Sequence, residues 1–210
     1  MTAALFTTPA SVLTVMAHPD DAELWAGGTL ARCANAGAVV TVAVPYQAEP
    51  VRDVEAAAGA ATLGATLRQY ARPTVNALRE LLLTVRPEVV VTHPVDDIHP
   101  DHRNLAELLL AALPDVVIAT GRPRRVYTAD TYNSLTLGGP VPAHTVVDIT
   151  DTYNIKQRAL AAHASQPITE HFGPMAETLA RLWGNRIGVR YAENFTPLPV
   201  LGRLSAAIGL

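Results

Sequence analysis

The chain has 210 residues, 49% of them hydrophobic and 17% charged, with a net charge of −3. This is ordinary globular composition, long enough for one substantial domain spanning 1–210 and short for two. Interspersed charges exclude a nucleic-acid footprint or an anionic-membrane partner, and a single cysteine, Cys33, excludes an intramolecular disulfide and a thiolate metal cluster.

Met1–Phe6 lacks a basic segment and runs straight toward the first strand, so no signal peptide is expected. No run is long enough to span a bilayer, and a cytoplasmic location follows. A β-branched strand at 11–17 leads to Gly27-Gly28 and a helix over 28–36, closed by Gly37. The continuous apolar run 38–44 predicts a second strand buried on both faces. A helix over 50–63 ends at Gly64, and 66–70 reads as a short third strand. Pro73 opens a helix over 74–86 that Pro87 closes. Strand 88–93, helix 102–113 and a strand near 115–119 follow. This βαβ alternation predicts an α/β fold, a Rossmann-like doubly wound, mostly parallel sheet with helices on both faces.

The second half is less regular. Strands are predicted at 125–132, 145–149 and 190–195, and helices at 153–164 and 174–187. The apolar tail, 198–210, reads as disordered or buried against another subunit, which favours a homo-oligomer.

Chemistry concentrates at two strand ends. Ala17-His18-Pro19-Asp20-Asp21-Ala22-Glu23 follows the first strand, and His99-Pro100-Asp101-His102 follows the strand at 88–93. Two such strands in one parallel sheet bring both clusters into a single crevice. His18, Asp21 and His102 then form a three-ligand set for zinc, with a coordination position left for water. Pro19 forces a sharp turn off the strand, aiming His18 and Asp21 at one ion and Asp20 past it. Water on such an ion has its pKa lowered to roughly 7, and Asp20 is placed to accept the proton. His99 is free to hydrogen-bond an oxyanion or shuttle a proton. Asp101 suits the orientation of an imidazole, or the N-cap of the helix that follows. His93 ends its strand on the crevice side.

These motifs resemble those of the PIG-L/LmbE-like zinc-dependent N-deacetylases. The likeness rests on Ala17–Glu23 with Gly27-Gly28-Thr29-Leu30, and on His99–His102. Weaker matches extend it over nearly the whole chain: Arg52–Glu55, Arg86–Val90, Lys156 to Gln166, and Tyr191–Phe195. The resemblance implies zinc on His18, Asp21 and His102, Asp20 as general base and His99 as oxyanion stabiliser. It implies a small N-acylated substrate, an amino sugar or a sugar-like molecule, contacted by Arg52 and approached by His163 or Gln166. The same ligands also hold iron(II). Two segments depart from the family: Val44–Pro50 replaces a Thr-x-Gly-like turn, and Gly64–Pro73 is short and lacks an aspartate-containing turn. Both rim the substrate pocket in relatives, so substrate choice is what they change. Three alternatives remain open: another amide or reaction at the same metal site, an inactive family member, and a nucleotide-binding module using Gly27-Gly28 at a helix N-terminus.

Overall fold

The computed structural model describes residues 8–204. Its main sheet has seven strands: β1 (Ser11–Val15), β2 (Val39–Pro45), β3 (Thr66–Tyr70), β4 (Val89–Thr92), β5 (Arg125–Thr128), β8 (Thr145–Asp148) and β9 (Ala192–Leu198). A small hairpin, β6 (Leu135–Thr136) with β7 (Gly139–Pro140), lies apart from it. The spatial order is β3-β2-β1-β4-β5-β9-β8. The first five run parallel, and β9 and β8 add an antiparallel edge. This is a doubly wound sheet whose order reverses between β1 and β4, so the crevice lies beyond the C-terminal ends of those two strands.

Six helices cover the sheet: α1 (Asp21–Asn35), α2 (Pro50–Thr62), α3 (Val75–Val85), α4 (Pro100–Thr120), α5 (Tyr153–Ala161) and α6 (Gly173–Ile187). Side chains alternate across the central strands. Val12 of β1 and Val89 and Val91 of β4 join a core built with Leu30, Ala56, Leu160 and Trp183 of α1, α2, α5 and α6. Leu13, Val15 and Val90 point the other way, onto Leu78, Leu82, Leu105 and Leu109 of α3 and α4. No helix among the described residues is long and apolar enough to cross a membrane.

Several expectations are corrected. Helix α1 begins at Asp21, not at 28, so the acidic motif is itself the first helical turn. The glycine pair consequently lies inside the helix rather than at its N-terminus. A Cβ on Gly28 would come within 2.6 Å of Ile149, so glycine serves close packing there. The strand expected near 115–119 is instead the last stretch of α4, which runs through Pro114. Proline removes one backbone donor. The buried repeat Leu105, Leu109, Ala112, Leu113, Val116 nevertheless continues at helical spacing across it. Strand β5 stops at Thr128, and Tyr132–Ser134 form a 3₁₀ turn. The final strand runs to Leu198, where Leu198 and Val200 pack on the chain's own α4 core. Residues 201–204 beyond it are exposed; 205–210, like 1–7, lie outside the described residues.

Candidate metal centre

His18 leaves the end of β1 in a turn closed by the Asp21 N–H on the His18 carbonyl, at 3.3 Å. The Asp21 carboxylate answers by accepting the His18 N–H at 2.8 Å. His102 comes from the first turn of α4, after the loop that leaves β4. Pro100 suits that helix start, and the N-cap is His99, whose Nδ1 accepts the Asp101 N–H at 3.2 Å. Asp101, expected as a possible cap, lies inside the helix.

Three donor atoms meet where these elements converge. His18 Nδ1 lies 3.2 Å from Asp21 Oδ2 and 3.2 Å from His102 Nε2, and His102 Nε2 lies 3.4 Å from Asp21 Oδ2. Ligand atoms about 2.0–2.1 Å from an ion at tetrahedral angles stand about 3.3–3.4 Å apart. The triangle therefore has the edges of one face of a tetrahedral site, with the mixed nitrogen and oxygen set that zinc takes. Its outer contacts fit the same purpose. Asp97 Oδ2 lies 3.2 Å from His102 Nδ1, and Asp101 Oδ2 lies 3.4 Å from His18 Nε2. Each imidazole thus turns its far nitrogen to a carboxylate, which fixes its tautomer and orientation. Trp25 Nε1 donates to Asp21 Oδ1 at 3.2 Å, securing the third ligand.

The surroundings set the charges. Asp21 is held well below the usual carboxylate range: the His102 and His93 charges and imidazole hydrogen bonds outweigh the upward push of its burial. His102 is pushed up to about 9; burial acts against its charge, but Asp21 and Asp97 more than compensate. Asp20, 5% exposed, is moved upward by burial and by the neighbouring Asp21, while Arg52 pulls the other way. Arg52 reaches it from α2, its NH2 donating to Asp20 Oδ1 at 3.1 Å. His99 is lowered by partial burial and by the adjacent imidazoles of His102 and His18. Its ring stacks on His102 at 4.6 Å and meets His18 edge-on at 4.9 Å.

Not every residue named from the sequence gathers here. His163 is 1% exposed, and its Nε2 lies 3.7 Å from Glu23 Oε2, too far for a hydrogen bond but within ion-pair reach. Gln166 donates to Ser165 Oγ at 3.0 Å. Both line a cavity of 520 Å³ between α5 and α6 that shares no lining residue with the donor triangle.

Sequence reasoning missed Asp97, Trp25 and Tyr132. Asp97 left one clue, an aspartate two residues before His99, whose N–H its Oδ1 accepts at 2.8 Å. His93, noted only as facing the crevice, stacks on His102 at 3.7 Å, and its Nε2 accepts the Ala17 N–H at 3.0 Å. The Tyr132 ring lies parallel to His102 at 5.8 Å, and burial pushes its phenol well up, so it stays neutral.

Residues 13–113, which include both motifs, match the PIG-L family, described as GlcNAc-PI de-N-acetylase. Over that span the chain carries a PIG-L family domain. Two relatives match over a larger share of the chain. A 1D-myo-inositol 2-acetamido-2-deoxy-α-D-glucopyranoside deacetylase of Nakamurella multipartita is 29% identical over 234 residues, covering 75% of this chain and 80% of the relative. A diacetylchitobiose deacetylase of Thermococcus kodakarensis is 25% identical over 222 residues, covering 90% and 83%. The 4-carboxy-2-hydroxymuconate hydratase GalB of Pseudomonas putida has the same fold, with a TM-score of 0.78 at 23% identity over 95% of this chain and all of that one. The PIG-L fold alone does not choose the reaction; the site must.

Proposed function

We propose that this chain hydrolyses the N-acyl group, most simply N-acetyl, of an amino sugar or a sugar-like small molecule. The observation that carries the reading is the donor triangle of His18, Asp21 and His102 with Asp20 and His99 beside it. Both curated deacetylase relatives, acting on N-acetylated sugars by their names, support the substrate class. His18 Nδ1, Asp21 Oδ2 and His102 Nε2 would hold the divalent cation, zinc in our reading, with iron(II) able to use the same ligands. When bound, such an ion polarises an amide carbonyl and lowers the pKa of water to about 7.

Asp20 is the general base. Its raised pKa brings it nearer the range useful for proton transfer at neutral pH, and Arg52 fixes its carboxylate by one oxygen. His99 is the oxyanion donor. It is neutral, and its Nδ1 is committed to the Asp101 N–H, which leaves Nε2 as the ring's N–H. Hydroxide adds to the acyl carbon as Asp20 takes the water's proton. The C–N bond then breaks and the nitrogen takes up that proton, giving a carboxylic acid and a free amine.

The test pairs metal analysis with acetate release from N-acetylglucosamine-type substrates. Wild type should carry about one zinc per chain and release acetate. Asp20→Asn should keep its metal and lose roughly 10²–10⁴ in rate, and His102→Ala should lose both metal and turnover. Full activity in Asp20→Asn removes the base assignment. Metal without acetate release, on any N-acetyl sugar, redirects the reading to a different amide, another reaction or an inactive member.

A further inference from the structure

Beyond β5 the chain passes through a strained turn. Asn133 and Ser134 both adopt left-handed backbone conformations, with φ of 52° and 57°. Residues that carry a Cβ reach this region only at a cost, and the cost is met twice in succession here. Such strain persists only where the surroundings over-determine it. Asp130, 4% exposed, accepts the Thr131 N–H at 2.8 Å and the indole N–H of Trp183 from α6. The Ser134 N–H closes on the Thr131 carbonyl at 2.9 Å, and the Ser134 carbonyl accepts the Val141 N–H at 2.9 Å. The turn is thus fastened at both ends.

What this turn sets is the place of Tyr132. Its ring lies within 14° of parallel to His102, with centroids 5.8 Å apart, and meets Trp25 at 75° and 5.2 Å. Phe172, just before α6, packs on it at 6.2 Å. Offset-parallel and edge-to-face pairs at these separations are the favoured aromatic arrangements. Trp25 is the residue whose Nε1 donates to Asp21 Oδ1. One ring therefore touches a donor residue of the triangle directly and reaches a second through a single side chain.

We propose that Tyr132 is a positioning residue of the metal centre: its ring, clamped by the strained turn, braces His102 and Trp25 and so keeps the His102 and Asp21 donor atoms at ligating separation. The proposal rests on the metal-centre reading. Asp97 directs His102 along one line, through Nδ1, and rotation about that line is what a flat neighbour stops. Donor atoms must already stand close to ligating geometry if the ion is not to do the ordering itself. The contacts belong to the face and edge of the ring, so the ring carries the role and the hydroxyl does not.

Zinc affinity, read by competition with a chromogenic chelator, and the visible spectrum of the cobalt(II)-loaded protein test this. Cobalt reports coordination geometry where zinc, with its filled d shell, is silent. Tyr132→Ala should bind zinc about tenfold more weakly and change the cobalt bands. Tyr132→Leu fills much of the same volume without a flat ring, and should show both losses even where the alanine variant does not fold. Tyr132→Phe keeps the ring, so its affinity and spectrum should match wild type. A merely structural role would lower the unfolding transition and leave the folded chain's affinity and cobalt spectrum alone. Wild-type values in a folded alanine or leucine variant, or loss of both in the phenylalanine variant, would overturn the brace. Uptake by wild type with indifferent variants removes the brace and keeps the metal centre. A wild type that takes up neither ion removes both.

Discussion

Two clusters of buried charge lie along α1, and they are built on opposite rules. Midway down the helix, Glu193 accepts the N–H groups of Gly28 and Thr29 at 3.0 and 2.8 Å, entering the helical hydrogen-bond ladder from β9. Lys156 of α5 donates to Glu193 Oε1 at 2.7 Å and to the Leu24 carbonyl at 2.8 Å, and Thr152 donates to the Gly28 carbonyl. Charge there is neutralised on the spot, and the pair fastens α1 to α5 and β9. Around the first turn of the same helix, three imidazoles surround the Asp21 carboxylate. His93 Nδ1, both Glu23 oxygens and His163 Nε2 have no hydrogen-bond partner among the described residues. Native interiors rarely tolerate this. Where charge closes on itself it holds the fold together; where His18, Asp21 and His102 converge, the donor atoms form a group that could hold a metal ion.

Breaking the closed cluster should have the largest effect. Lys156→Met leaves the Glu193 carboxylate buried at 4% exposure without its cation. Removing one member of a buried pair costs about 3–5 kcal/mol. Chemical denaturation should show a loss of that size, with metal content per folded chain unchanged. In the double variant Lys156→Met with Glu193→Gln, the amide oxygen still accepts one of the two α1 N–H groups, the other loses its acceptor, and no bare charge remains, so part of the loss should be recovered. A single variant as stable as wild type, or a double variant no better than the single, would contradict the contrast.

The open cluster should respond in metal affinity rather than stability. Asp97→Asn keeps the shape of the loop but weakens the acceptor that orients His102 Nδ1. Loss of such a partner costs about 10–100-fold in metal affinity. Competition with a chromogenic chelator should register that drop, while the metal-free variant unfolds within about 1 kcal/mol of its parent. Unchanged affinity would mean that Asp97 is an ordinary loop aspartate.

The same contrast explains what was legible in the sequence. The donor triangle was visible because each ligand sits in a short motif just past a β-branched strand, and parallel pairing supplies the rest. The closed cluster joins Lys156 to Glu193 across 37 residues, and neither carries a local signal of its partner. Asp97 was overlooked for the same reason: only when the β4–α4 loop folds back does it reach His102. Local punctuation also misled. Gly27-Gly28 looked like the approach to a helix, although Asp20 and Asp21 had already opened it, and Pro114 looked like a stop although the apolar repeat crossed it. In both places burial of a continuous apolar face outweighed intrinsic propensity. His163 was suggested as a substrate contact by the family resemblance, and its pairing with Glu23 depends on α5 packing over α1 and α2.

The smallest expected effect is a count of protons. Without metal, His102 has its pKa raised from 6.5 to about 9, and His18 is raised as well. A group raised in the folded state stabilises that state fully below its unfolded pKa and ceases to as pH rises through its folded pKa. The metal-free protein should therefore lose stability as pH rises from about 6.5 to about 9. Metal binding needs both imidazoles neutral at the ligating nitrogen, so it runs the other way and tightens over the same range. Zinc uptake should release protons from both imidazoles near pH 6 and still release the His102 proton near pH 8, while well above 9 only water on the bound ion has a proton left to give; each proton corresponds to about tenfold in affinity per pH unit. Calorimetry in buffers of different ionisation enthalpy counts them directly. Uptake at pH 8 with no proton released would mean that His102 is already neutral there, and that Asp21 and Asp97 do not hold it as a cation while the site awaits its ion.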